Sequence, residues 1–160
     1  MKWLWGVMAL ILLAGCAAKI DPTPVAVNPF PEATEVRMYM HKDMIRVDDK
    51  GQVNEGSFPE GGIAMAPADI GELNGPALTY IVPPEMVEAY GCCFPRHAFL
   101  FYDKSGRFLG SIAVCFECHC VMTTRFPKPL KGKDWLVWDE AIFKRIITAH
   151  GQPIEFASPQ

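Results

Sequence analysis

Five cysteines and two histidines crowd into residues 92–120: Cys92, Cys93, His97, Cys115, Cys118, His119 and Cys120. Thiols and imidazoles ligate metals, exchange disulfides and attach haem, and four chemistries fit this group. The first is zinc, with Cys93 and His97 in a C-x3-H spacing and Cys115 and Cys118 in a C-x2-C spacing supplying the four ligands of a tetrahedral site. The second is a structural disulfide clasp from Cys92 or Cys93 to Cys115 or Cys118, which in an oxidising compartment contributes roughly 2 to 4 kcal/mol. The third is covalent haem, because Cys115, Cys118 and His119 complete C-x-x-C-H. Against haem, a strand and not a helix leads into the motif, and the distal ligand would have to be Met122, His150 or a residue upstream. The fourth is thiol redox or thiol-based metal transfer by Cys115 and Cys118. Such redox pairs usually sit at a helix N-terminus, which lowers the attacking thiol's pKa, whereas this pair ends a strand.

These residues meet only if the chain between them turns back. Residues 97–102 are apolar and aromatic-rich, Asp103-Lys104-Ser105-Gly106 is a turn with glycine where a positive φ is expected, and residues 107–114 return as a second strand. A three-residue loop with a bulge sets Asp103 opposite Arg107, His97 opposite Ala113 and diagonal to Cys115, and Cys92 near Cys118. Cross-strand neighbours lie about 5 Å apart and diagonal ones roughly 7 to 8 Å, so the ligands converge at the open end of one hairpin. In this register Ala98, Leu100, Tyr102, Phe108, Ile112 and Val114 share one face, and Phe99, Phe101 and Leu109 share the other. Both faces are apolar, as expected for a central strand pair covered on two sides.

The paired segments Cys93-Phe94-Pro95-Arg96-His97-Ala98-Phe99 and Val114-Cys115-Phe116-Glu117-Cys118 resemble an uncharacterised exported bacterial domain family that carries C-x-PRH before a hairpin and CFEC after it. The likeness covers residues 84–120, with a terminal helix ending near a Gly-x-Pro as a weaker echo. It implies that Cys93, Arg96, His97, Cys115 and Cys118 belong together, and it leaves His119 and Cys120 outside the pattern.

A second resemblance lies at the other end of the chain. Lys2 gives a positive start, residues 3–14 are apolar or small, and Leu13-Ala14-Gly15-Cys16 is similar to the lipobox of bacterial lipoproteins. The run is too short for an ordinary membrane-spanning helix. The resemblance implies a signal peptide over 1–15, acyl chains on Cys16 and stable membrane attachment, since several chains on one residue suffice where a single chain is marginal. Ala17 stands where many inner-membrane lipoproteins carry aspartate, so the implied address is the outer membrane, facing the periplasm. Lipid consumes one of the six cysteines and leaves an odd number for the domain, so internal disulfides cannot pair them all.

The remainder is bounded more plainly. A formal net charge of -3 with scattered lysines and arginines excludes an ordinary nucleic-acid binder, and half the residues are hydrophobic, as in a globular chain. Residues 16–32 are proline-rich and read as an extended tether, and 33–160 as a single domain. Residues 35–41 alternate as a strand, 45–53 as a short hairpin arm around the turn at 48–51, and 84–90 as a short helix stopped by Gly91. Residues 139–150 form an amphipathic helix capped by Asp139, with Ile142, Phe143, Ile146 and Ile147 at helical spacing and Gly151 and Pro153 ending it. His41 and His150 read as surface or cap residues, and Met38, Met40, Met44 and Met65 as packing residues more than copper ligands. No serine, histidine and aspartate set suggests a hydrolase.

The expected fold is therefore α+β, a small antiparallel sheet centred on a 97–115 hairpin and packed by the C-terminal helix. The expected role is a membrane-anchored accessory or binding lipoprotein, whose cluster is a zinc site or a disulfide clasp. A c-type haem carrier or a thiol oxidoreductase is the alternative.

Overall fold

The aromatic run and the turn at 103–106 form the central hairpin. In the computed structural model of the chain, residues 25–42, 45–46, 53, 58, 61–81, 93–125 and 135–156 are described. Strand β5 (His97–Tyr102) pairs antiparallel with β6 (Phe108–Cys115). The turn is organised by Asp103, whose Oδ1 accepts from the Ser105 amide at 2.8 Å and the Arg107 amide at 3.1 Å, while Gly106 takes a φ of +78°. This is the aspartate-led turn with a left-handed glycine that the sequence called for.

The sheet grows on both sides of this pair. Strand β2 (Glu35–Met40) lies against β5 with the two-residue β3 (Ile63–Ala64) on its outer edge, and β7 (Cys120–Thr123) lies against β6. All five strands are antiparallel in the order β3-β2-β5-β6-β7. A second, three-stranded sheet joins β1 (Val25–Ala26), β4 (Leu78–Ile81) and β8 (Trp135–Trp138) in the order β1-β4-β8. Between β3 and β4 runs the short helix α1 (Pro67–Leu73), and α2 (Glu140–Ala149) follows β8. The α+β class, with a sheet centred on the 97–115 hairpin and a C-terminal helix over it, is what the chain adopts.

Helix α2 forms where its caps place it. Asp139 accepts from the amides of Ala141 at 3.0 Å and Ile142 at 3.2 Å, and Gly151 closes the other end at φ +71°. Its Phe143, Ile146 and Ile147 are fully buried, with the Phe143 ring edge-on to Phe99 at 5.5 Å and to Trp138 at 5.3 Å. Arg145 pairs with Glu72 of α1, and His150 Nε2 lies 3.0 Å from Asp69 Oδ2, so the two helices are tied at their polar edges.

The hairpin departs from a uniform register at one point. Tyr102 pairs with Phe108, but Phe101 pairs with Gly110, leaving Leu109 as an extra residue. Gly110 takes a φ of +150°, and a β-carbon on it would fall 2.2 Å from Thr124 Oγ1 and 2.6 Å from the Phe30 ring. Glycine is thus required twice over, for backbone conformation and for close approach. Past this bulge every partner shifts by one, so His97 lies opposite Val114 and not opposite Ala113 as expected. The same slip moves Ile112 and Val114 onto the face of Phe99, Phe101, Val36 and Met38, while Ala98, Leu100, Tyr102 and Ala113 line the other face. A one-residue shift in a strand exchanges its faces.

The start of the domain also differs from the expected tether over 16–32. Phe30 is fully buried, stacks on Phe101 at 4.4 Å between ring centres, and its main chain is held by the Asn74 side chain at 3.2 and 2.9 Å. With β1 paired to β4, Val25 and Ala26 already belong to the fold. The segment 1–15, Cys16, the helix expected over 84–90, the turn at 48–51 and Cys92 lie outside the described residues. Ile45 and Val53, the ends of the expected arm, are buried beside Tyr39, Ala98 and Leu100. Among the described residues no helix is long and apolar enough to cross a membrane.

Candidate functional site

The site is built where three strands end together. The lead-in to β5 is fixed by main-chain bonds from His41 N–H to Arg96 O at 2.9 Å, Ile45 N–H to Pro95 O at 2.7 Å, and Arg96 N–H to Val114 O at 3.2 Å. Strand β6 ends at Cys115, the chain turns through 116–119, and β7 begins at Cys120 directly opposite Cys115. His119 holds the turn at a φ of +46°, a left-handed conformation that histidine adopts more readily than most residues.

That return brings Cys120 to Cys93. The two are joined by a disulfide with Cα atoms 5.8 Å apart across 27 positions of sequence. The clasp at the end of the hairpin therefore uses Cys120, and not the Cys115 or Cys118 expected from the strands alone. It also takes Cys93 out of the expected zinc set, because a disulfide sulfur carries no thiolate to give a metal.

Cys115 and Cys118 are free thiols, 2% and 5% exposed. The Cys118 amide donates to Cys115 Sγ at 3.3 Å, and the Phe94 amide and the Cys118 thiol adjoin the same sulfur. Burial pushes the Cys115 thiol above its ordinary pKa and the neighbouring Cys118 thiol adds to this, while the two amides act in the opposite direction.

His97 is 1% exposed and donates its Nε2–H to the Pro153 carbonyl at 2.8 Å. A carbonyl can only accept, so the neutral ring carries its proton on Nε2 and Nδ1 is the bare nitrogen. The ring meets Phe116 edge-on at 5.5 Å and Phe156 at 5.3 Å. Burial lowers its pKa and the adjacent Arg96 charge lowers it further, against the bond to Pro153.

Arg96 lies over the Phe156 ring at 5.3 Å, and its Nη1 is 3.0 Å from Glu117 Oε1. That distance offsets charge, yet Nη1 and Nε are both buried without a directed hydrogen bond. Arg96, His97, Cys115, Phe116, Glu117 and Ile154 enclose a small recess, room for about one water molecule.

No family model, curated protein or solved structure matches the chain.

Two of the expected cofactors can be set against these side chains. Among the described residues no group of three or more His, Cys, Asp or Glu side chains is placed to hold a metal ion, and with Cys93 in the disulfide the set Cys93, His97, Cys115 and Cys118 does not fit tetrahedral zinc. Covalent haem does not fit either. Cys115 and Cys118 are both buried, the recess that Cys115 lines has room for about one water, and His119 Nδ1 lies 3.2 Å from Glu140 Oε2 at the start of α2.

The structure brings Cys93, Arg96, His97, Cys115 and Cys118 to one end of the hairpin, the grouping implied by the C-x-PRH and CFEC pattern. Sequence reasoning missed Cys120 as the partner of Cys93, and it missed the tail residues Pro153, Ile154 and Phe156 that cover His97 and Arg96. A signal existed for each. Cys120, next to the CFEC segment, was a further thiol within reach of the hairpin end, and Gly151-Gln152-Pro153 marks a chain that stops its helix and turns back.

Proposed function

We propose that this chain is a lipid-anchored lipoprotein of the binding or accessory type, attached through Cys16 to the outer membrane and facing the periplasm. In it the Cys93–Cys120 disulfide is the structural clasp, and the Cys115–Cys118 thiol pair beside His97 and Arg96 is the working site. The observation that carries this reading is the disulfide itself. It belongs to the oxidising compartment implied by the Leu13-Ala14-Gly15-Cys16 motif, and it spares the one C-x2-C pair that is buried and reduced. Intact mass of the chain recovered from bacterial membranes tests it. The expected product begins at Cys16, carries acyl chains and loses them in Cys16→Ser; a mature chain without lipid refutes the anchor.

A thiol oxidoreductase is the second reading, favoured by the amide donors aimed at Cys115 Sγ. Against it stand the burial of both sulfurs and the raised Cys115 pKa, since the thiolate is the attacking species. Catalysed reduction of a disulfide substrate that is lost in Cys118→Ser would establish it over the binding reading.

A further inference from the structure

We propose that Cys115 and Cys118 form a two-coordinate site for the soft monovalent cation Cu(I), with Arg96 as its buried counter-charge. This rests on the reading of the two cysteines as a reduced pair beside the Cys93–Cys120 clasp.

Ligand number selects the metal. Once Cys93 is bonded to Cys120, two thiols remain on the turn after β6, already drawn together by the Cys118 amide on Cys115 Sγ at 3.3 Å. Zinc asks for four ligands, hard cations ask for oxygen, and soft thiolates favour Cu(I). Cu(I), soft and singly charged, is satisfied by two thiolate sulfurs, so the pair needs no third ligand.

Charge balance gives an independent argument. Two thiolates and one Cu(I) carry a net charge of −1, which is costly in a dry site unless a cation adjoins it. Arg96 shares the recess with Cys115; its Nη1 is paired with the half-exposed Glu117 carboxylate at 3.0 Å, but its Nε is buried with no hydrogen-bond partner. A buried guanidinium N–H without an acceptor is uncommon and calls for an explanation. An anionic sulfur–copper centre supplies one. The recess is too small for a hydrated ion, so copper would enter by exchange from one set of ligands to another.

The step balances without redox. A Cu(I) chelate hands over its ion, the two S–H bonds of Cys115 and Cys118 break, two Cu–S bonds form, and two protons pass to the buffer. Copper and sulfur keep their oxidation states, and the clasp takes no part.

The full chain, purified in detergent without air, is titrated against the Cu(I)–bicinchoninate complex, whose colour reports copper lost to the protein. One Cu(I) per chain is expected, with both cysteines then protected from N-ethylmaleimide and the Cys93–Cys120 bond intact by mass. Cys115→Ser and Cys118→Ser should each abolish withdrawal of copper from the chelate. Arg96→Met should weaken binding by about tenfold or more, as loss of an outer-shell partner typically does. Copper that stays on the chelate overturns the proposal without depending on how a variant folds. Binding that survives in Cys118→Ser also overturns it. A missing lipid or a different disulfide, read by mass on the same sample, counts instead against the anchor and the clasp.

Discussion

His97 Nε2 donates to the Pro153 carbonyl at 2.8 Å, tying the first residue of β5 to the tail that follows α2. The bond requires a hydrogen on Nε2, which the neutral ring already supplies, and the ring otherwise packs against Phe116 and Phe156, neither of which offers an acceptor for a second proton. Burial and the Arg96 charge therefore depress its pKa in the folded chain. The sign follows from linkage. Below the ordinary histidine range, near pH 6.5, the unfolded chain takes up a proton that the folded chain resists, so stability is held above that range and falls as pH drops toward the folded pKa. Melting temperatures between pH 7.5 and 5 should decline more steeply for wild type than for His97→Gln. Parallel curves would show that His97 does not carry the effect.

Gly110 fixes the bulge and with it the faces of β6. Gly110→Ala places a methyl group against Thr124 Oγ1 and the Phe30 ring at a φ of +150°, so overpacking and backbone strain act together. A loss of roughly 3 kcal/mol is expected in urea unfolding. A variant as stable as wild type would mean that the strand can close up to the uniform register.

Asp139 and Phe143 test α2 separately. Asp139→Ala removes the acceptor for the Ala141 and Ile142 amides and should cost about 1 kcal/mol. Phe143→Ala empties the space between Phe99 and Trp138 and should cost roughly 3 to 5 kcal/mol. If the two costs came out equal, the helix would not be the cover over the core described above.

The clasp has its own energetics. Cys93→Ser with Cys120→Ser opens a link spanning 27 positions, and by chain entropy the loss is about 3.6 kcal/mol. The denaturation midpoint under oxidising conditions measures it, and a midpoint unchanged in the double variant would mean that the bond does not constrain the domain.

What could be read in advance follows physical lines. Helix α2 was legible because Asp139, the apolar spacing of Phe143, Ile146 and Ile147, and Gly151 each act locally and agree. The 103–106 turn was legible for the same reason, through Asp103 and Gly106. The faces of Ile112 and Val114 were not, because one extra residue at Leu109 reverses them, and a lone glycine in a strand signals such a bulge without fixing the new register. The sheet β1-β4-β8 was hidden as well. It joins distant short segments whose pairing depends on tertiary contacts such as Phe30 on Phe101, and a proline-rich stretch before it resembles a free tether. For the site, composition located the cysteines, but the partner of Cys93 depended on the turn at 116–119 that folds Cys120 back.

The most direct test of the proposed lipoprotein is cysteine mapping of the chain recovered from membranes. Free thiols are alkylated under denaturing conditions without reductant, and the digested peptides are weighed. The expected result is an acylated Cys16, a peptide pair linked through Cys93 and Cys120, and alkylated Cys115 and Cys118. A bond from Cys93 to Cys115 or Cys118, a Cys115–Cys118 disulfide, or a Cys16 without lipid would contradict it.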